Sequence, residues 1–498
     1  MEHISSLALP RFVIAGASSG SGKSTLTLAL IEALHRRGYR PLPWKVGPDY
    51  IDPGHLSAAA GLACRNLDPV LMGEAGMVSS FIGHCNEACR KEPKSLAVIE
   101  GVMGLFDGRG GISSEGSTAS VAKSLSAPVI VVIDAGAAAQ TAGAVALGMQ
   151  QFDPDCPVAG FIANRIGSDR HFSMVRRAVE GATGLPVLGW LPKSSMPSMP
   201  ERHLGLVAAW EEEGRHRLSS LLRILGDAAA EHIDLDALLA IAASASSLTP
   251  IRGESVDGID ISGSSGGKAD RAVAGIGTDT PSPCIAVAMD DAFHFYYQDN
   301  LDMLESLGAR IVPFSPLSAS RLPDGCDGVY IGGGYPELHA ERLSANRTMI
   351  ESIRAASFDN MPIYAECGGL MYLCRRLFVG GKGYPMVGLF DTEIEMGNKL
   401  SALGYHKART LRPSVIGPAG MELVGHIYRW SNMVKGPSET EWLFRLDKEG
   451  TIGFDGLSVR RSTAAYLHLH FTGVPEPARH LVAACREYRQ SRSKHDEQ

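Results

Sequence analysis

Cysteine is scarce, an excess of basic residues is absent, and no long stretch is purely apolar. Nine cysteines are scattered through 498 residues without regular spacing. That pattern argues against a secreted disulfide framework and suits reduced thiols, so a cytoplasmic location is expected. Lys and Arg together number 47 against 54 Asp and Glu, a formal charge of -7. A mildly acidic chain lacks the basic face that a general nucleic-acid binder needs. The most apolar long window, residues 127–149, is broken by Asp134 and Gln140, so no membrane span is expected. Residues 1–10 carry no Lys or Arg and too short an apolar stretch for a secretory signal.

What remains is the profile of a folded globular chain, 45% hydrophobic and 20% charged, long enough for two or three domains. In the first half, short β-rich runs alternate with helical stretches. Phe12 to Ala15 is a strand, and Leu26, Ala29, Leu30, Ala33 and Leu34 mark one helix face, stopped by His35, Arg36, Arg37 and Gly38. Further strands are expected at 96–99, 129–133, 158–163 and 187–191. Strands alternating with helices predict a parallel sheet covered on both faces. Residues 244–283 are rich in Gly, Ser and Asp and read as a flexible linker. A second α/β series follows, with strands at 284–289, 328–331 and 362–365. The expectation is two α/β domains, 10–243 and 284–490, joined by a linker at 244–283.

Gly16-Ala17-Ser18-Ser19-Gly20-Ser21-Gly22-Lys23-Ser24-Thr25 lies between a predicted strand and a predicted helix, the setting of a P-loop. Its glycines let backbone N–H groups curl around phosphates, and the helix N-terminus adds partial positive charge. Lys23 would meet the β- and γ-phosphates of ATP, and Ser24 would bind Mg²⁺. The motif departs from the strict spacing, because Ala17 stands at the first glycine position and Gly16 one residue earlier. Carboxylates suited to Mg²⁺ are Glu100, at the end of an apolar strand, Asp107 in GVMGLFDGRGG, and Asp49 and Asp52 in KVGPDYIDP. Taken singly each Asp reads as a turn former; behind a P-loop the group reads as ligands.

Met361 to Leu370 reads as a strand, a cysteine on a small-residue turn, then a helix. That is the plan of a nucleophile elbow around Cys367. The N–H groups that follow can face an oxyanion, and the turn Ile331-Gly332-Gly333-Gly334-Tyr335-Pro336 can supply a second donor. For a base, Tyr466-Leu467-His468-Leu469-His470-Phe471 alternates like a strand and puts both histidines on one face. The histidine pair, or Cys85 with Cys89, is also a weak zinc candidate without a full ligand set.

The P-loop variant, KVGPDYIDP, EGVMGLFDG, ERHLGLV (201–207), IGGGYPE, AECGGLMYL and YLHLHF resemble, in order, the cobyrinic acid a,c-diamide synthase family. The resemblance runs from about Arg11 to Phe471. It implies an N-terminal domain similar to dethiobiotin synthetase and a C-terminal class I glutamine amidotransferase domain. It further implies amidation of the a and c carboxylates of a corrin ring, with ATP, Mg²⁺ and L-glutamine consumed or required, and it leaves room for a homodimer. On the same basis Gly20, Ser21, Gly22, Lys23, Ser24 and Thr25 bind the phosphates. Ser24, Glu100 and Asp49 serve the metal, and Asp49, Asp52 and Asp107 position the intermediate. Asn164 contacts adenine. Cys367 attacks glutamine, Gly333 and Gly368 supply the oxyanion donors, and His468 shuttles protons. Many class I glutaminases carry Glu two residues after the catalytic His. Here His470 stands there, so no orienting carboxylate is evident. Residues 425–431, GHIYRWS, resemble a family stretch but end in Arg429 and Trp430, where substrate contacts can differ. The same motifs would serve hydrogenobyrinic acid or nickel-sirohydrochlorin. A dethiobiotin synthetase-like ligase would lack the Cys367 domain, and a P-loop switch ATPase leaves Cys367 and His468 unexplained.

Overall fold

Apolar runs with burial on both sides have to lie inside a sheet, and the five expected in the first half do. The computed structural model describes residues 7–111, 113–193, 212–251, 282–436 and 441–496. These divide into two compact units, 1–267 and 268–498. In the first, β1 (Arg11–Gly16), β2 (Arg40–Val46), β3 (Arg65–Leu67), β4 (Ser95–Glu100), β5 (Val129–Asp134), β6 (Val158–Ile166) and β7 (Val187–Pro192) form one sheet. Its order is β3-β2-β4-β1-β5-β6-β7, and every pairing is parallel. Along β1, Phe12 and Ile14 pack with Leu26 and Leu30 of α1 (Lys23–Arg36), while Val13 and Ala15 share a second core with Met77 and Phe81. Period-two alternation therefore buries both faces, as expected for a parallel sheet. The order reverses at β1, between β4 and β5, which opens a crevice at the carboxyl ends of these strands.

Arg11 starts β1 and is fully buried. Its guanidinium donates to the carbonyls of Leu125 (2.7 Å), Leu9 (3.1 Å), Ser126 (3.4 Å) and Ser246. Of the expected linker, residues 244–251, 282 and 283 are described, and the rest lies outside the described residues. Leu248 is buried and pairs with Leu7 through backbone hydrogen bonds of 2.8 and 2.9 Å. Residues 201–207 also lie outside the described residues.

The second unit is built on β8 (Cys284–Ala288), β9 (Arg310–Phe314), β10 (Gly328–Ile331), β11 (Ile363–Glu366) and the strands Leu457–Val459 and Ser462–Ala465. Their order is Leu457–Val459, Ser462–Ala465, β11, β10, β8, β9. Only the Leu457–Val459 edge is antiparallel. Two further sheets draw on residues 374–469. One is an antiparallel five-stranded sheet running Thr451–Asp455, Phe444–Lys448, Ala402–Thr410, Glu422–Arg429, His468–Leu469.

The alternation over 466–471 predicts a full strand, but only His468–Leu469 is one. Side chains take the place of a neighbouring strand. Asp455 accepts from the N–H groups of Tyr466 (3.2 Å) and Leu467 (2.8 Å), Glu366 from Leu469 (3.1 Å), and Asn300 from Phe471 (2.7 Å). Among the described residues no helix is long and apolar enough to cross a membrane.

Replacing Arg11 by Met keeps apolar volume but strips four carbonyls of their donor. We expect a loss of about 2–4 kcal/mol, read as a lower urea midpoint at unchanged m-value.

Candidate active site

The turn between β1 and α1 carries the phosphate-loop residues at the carboxyl end of the sheet. Gly22 caps α1 with φ 100°, a conformation that favours glycine. A Cβ there would lie 2.0 Å from Asn164 Nδ2. Asn164, near the end of β6, donates that amide to the carbonyl of Ser21 (2.8 Å), and its Oδ1 accepts from Arg165 N (2.8 Å). The structure thus sets Asn164 against the phosphate loop itself. Ser21 Oγ is buried without a hydrogen-bond partner among the described residues, and Lys23 Nζ donates to the carbonyl of Met103. Asp107 is exposed and closes its own loop by accepting from Gly104 N (2.8 Å).

Beneath the loop sits a buried charge cluster. Ser24 Oγ donates to Glu100 Oε1 (2.8 Å). Lys45, the penultimate residue of β2, donates to the same oxygen (2.8 Å), to Asp52 Oδ2 (2.6 Å) and to the carbonyl of Gly101 (3.1 Å). Asp49 Oδ2 stands 4.0 Å from Lys45 Nζ, and Asp49 Oδ1 accepts from Ile51 N (2.8 Å) and Asp52 N (3.2 Å) at the start of α2 (Ile51–Ala60). Burial alone would discharge Lys45, but Asp52 and then Glu100 outweigh it and raise its pKa. Burial pushes Glu100 up to about 7 despite Lys45. One lysine thus serves two buried carboxylates, and Glu100 Oε2 has no hydrogen-bond partner among the described residues. Ser24 and Glu100 Oε2 thus offer oxygen donors of the kind a small hard cation takes. Among the described residues no group of three His, Cys, Asp or Glu side chains could hold a metal ion unaided.

In the second unit, β11 ends at Glu366 and a helix starts at Gly368, with Cys367 between them at φ 49°, ψ -103°. A non-glycine residue held there costs on the order of 1–3 kcal/mol. The turn is pinned by Cys367 N donating to Ala465 O (2.7 Å) and by Met371 N donating to Cys367 O (3.2 Å). The Cys367 thiol lies 3.8 Å from the carbonyl of Tyr428, at the end of the strand Glu422–Arg429. Gly368 opens the helix, so its N–H has no partner within it. The Gly333 carbonyl is held by the N–H groups of His294 and Phe295 (both 3.1 Å). A Cβ on Gly333 would lie 2.8 Å from His468 Cε1, so only glycine lets the imidazole approach this loop.

His468 is buried. Burial alone would lower its pKa, but hydrogen bonds to Cys367 and Glu366, with their charges, raise it to about 10. Its Nδ1 stands 3.7 Å from Glu366 Oε2. His470, by contrast, packs its ring 4.6 Å from that of Tyr297. Cys85 and Cys89 lie one turn apart on the helix Glu74–Lys91.

Two residues at these sites carry no role in the sequence reading. Lys45 stands inside KVGPDYIDP, and Glu366 stands directly before the cysteine in AECGGLMYL. A charged residue closing an otherwise apolar strand was the available signal for Glu366, whereas Lys45 sits next to last in a strand with two prolines and offered no such signal.

Two sites of this kind, a phosphate loop on a parallel sheet and a cysteine elbow facing a histidine, define a nucleotide-binding unit combined with a glutaminase-type unit. Residues 12–207 match the CobQ/CobB/MinD/ParA nucleotide binding domain, and residues 284–475 match the CobB/CobQ-like glutamine amidotransferase domain. Cobyrinate a,c-diamide synthase from Listeria monocytogenes is 42% identical over 93% of this chain and 96% of its own. The protein of that name from Leptospira interrogans is 38% identical over 96% and 99%. Among solved structures, a glutamine amidotransferase is 14% identical at TM-score 0.29, covering 41% of this chain and 98% of that one. The chain belongs to the cobyrinate a,c-diamide synthase family, and its two domains imply ATP and glutamine as substrates.

Replacing Lys45 by Met would strand Asp52 and Glu100 as buried charges. A cost of about 3–5 kcal/mol is expected in chemical denaturation. His468 binds its proton more tightly folded than unfolded, so its stabilisation is full below the unfolded value of about 6.5. It is lost as pH rises toward about 10. The thermal midpoint should fall across that window, and a His468→Gln variant should lack that part of the slope.

Proposed function

We propose that the protein is a glutamine-dependent carbon–nitrogen ligase that amidates the a and c side-chain carboxylates of cobyrinic acid in cobalamin biosynthesis. The observation that carries this reading is near-full-length similarity to enzymes of that name, with a phosphate loop and a cysteine elbow in one chain. All nine cysteines are free thiols, which supports a cytoplasmic setting.

A carboxylate is a poor acyl donor, so one of its oxygens attacks the γ-phosphorus of ATP, releasing ADP and forming an acyl phosphate. The N–H groups and side chains of residues 20–25 cradle the phosphates, and Lys23 leaves the Met103 carbonyl to meet the transferred group. Ser24 and Glu100 would hold Mg²⁺, which supplies charge neutralisation at the phosphate oxygens. Asp49, Asp52 and Asp107 position the intermediate, with Lys45 fixing Asp52. Asn164 braces the loop and borders the base.

Ammonia then displaces phosphate and leaves the amide. It is released from glutamine when the Cys367 thiolate attacks the side-chain amide carbon. The Gly333 and Gly368 backbone steadies the oxyanion, and His468 passes the thiol proton to the departing ammonia. Water hydrolyses the thioester to glutamate.

The test measures ATP- and glutamine-dependent mass gain on cobyrinic acid, hydrogenobyrinic acid and nickel-sirohydrochlorin, with Cys367→Ala run beside the native enzyme. Two successive amidations of cobyrinic acid are expected. The variant should lose glutamine-fed product by at least about 10³-fold and keep ammonium-fed product. Amidation of only a different macrocycle would overturn the acceptor, and no mass gain on any would overturn the tetrapyrrole reading.

A further inference from the structure

Glu366 occupies the last position of β11, directly before the cysteine, and is almost completely buried. Its Oε1 accepts from the Tyr364 hydroxyl (2.7 Å) and from Leu469 N (3.1 Å), and its Oε2 accepts from the Tyr330 hydroxyl (2.8 Å). The remaining direction of Oε2 is toward His468 Nδ1, at 3.7 Å. A carboxylate with this many donors is fixed in orientation. The Leu469 N–H bond ties the same carboxylate to the backbone one residue beyond the histidine, so Glu366 sets both the strand and the ring that projects from it.

We propose that Glu366 is the positioning residue of the glutaminase site. It acts through His468, in the role that other class I glutaminases give to a glutamate two residues after the histidine. Here that position is His470, whose ring packs on Tyr297. The histidine has two distinct nitrogens, and a carboxylate beside Nδ1 keeps a proton there and leaves Nε2 for the thiol. When the Cys367 proton moves to His468, the imidazolium so formed is stabilised by Glu366, and the 3.7 Å gap is a distance at which that attraction acts. The carboxylate reaches the histidine from the nucleophile's own strand, so one element sets the sulfur and the base together.

Several charged and titratable groups among the described residues stand around His468. Cys367 and Glu366 face it from the elbow and β11, with the Tyr330 and Tyr364 hydroxyls behind Glu366. His426 is its cross-strand partner on Glu422–Arg429. Burial, then the charges of His468 and His406, push His426 down to about 3, so it stays neutral and does not compete for the carboxylate. Asp455 is spent on the N–H groups of Tyr466 and Leu467, and Arg429 stacks over Tyr466.

The proposal rests on the glutaminase reading above, and the experiment separates the two. Glutamine hydrolysis by the full chain is measured for the native protein, Cys367→Ala, Glu366→Gln, Glu366→Asp and Tyr364→Phe. Alongside it, the pH profile of iodoacetamide alkylation is read on the Cys367 peptide by mass spectrometry. Glu366→Gln is expected to lower kcat/KM for glutamine by about 10²–10⁴-fold, chiefly in kcat. It should also move the alkaline limit of the thiolate–imidazolium pair to lower pH. Glu366→Asp keeps the charge and is expected to recover at least about tenfold of the loss. Tyr364→Phe removes a structural hydroxyl but no charge, and its loss should stay below about tenfold. Native hydrolysis that is insensitive to Glu366→Gln, or a pH profile unmoved by it, overturns the proposal and leaves the glutaminase reading standing. No Cys367-dependent hydrolysis in the native protein overturns both.

Discussion

A carboxylate buried at the carboxyl end of a central parallel strand must be met by donors, and both units are organised around that demand. Glu100 closes β4 and is fully buried, and Glu366 closes β11 and is nearly so. Stripping such a group of water costs several kcal/mol unless cations and hydrogen bonds replace it. Around Glu100 the replacement is Lys45 and Ser24, with one oxygen still unserved among the described residues. Around Glu366 it is two tyrosine hydroxyls, a backbone N–H and the edge of an imidazole. What each carboxylate recruits is the chemistry that its unit presents.

Parallel sheets also decide where that chemistry appears. Crossover connections cover both faces, so only the strand ends are open to ligands. The phosphate loop follows β1 at the reversal of strand order, and the cysteine follows β11 in the middle of its sheet. The elbow tolerates its strained dihedrals because its backbone hydrogen bonds with Ala465 and Met371 over-determine the turn. The histidine segment uses a different device. With a strand of only two residues, Asp455, Glu366 and Asn300 accept the N–H groups that a neighbouring strand would otherwise take.

Strands of uniform apolar character were legible in sequence, and β1, β4, β5, β6, β7, β8, β10 and β11 each fall within a residue or a few of their expected runs. β2 was not legible, because RPLPWKV carries two prolines and a lysine. The prolines are tolerated because Arg40 N donates toward β4, so Pro41 and Pro43 present their missing N–H groups to the other side, where β3 begins to pair only at Trp44. The two sheets of residues 374–469, one mixed and one antiparallel, were illegible for another reason. Their strands are half-exposed and rich in Arg, Lys and Glu, so alternation gives little apolar signal.

The sequence by itself determined the phosphate loop and the cysteine elbow, because each is one contiguous backbone conformation dictated by glycines and by the flanking strand and helix. It also placed His468 among the candidates. Tertiary structure alone decided which charges meet. Lys45 reaches Glu100 across 55 residues, and Glu366 reaches the N–H beside His468 across 103. Such pairings depend on register and burial between distant strands. No local pattern of residues encodes them, so Lys45 and Glu366 acquire a role only when the sheets assemble.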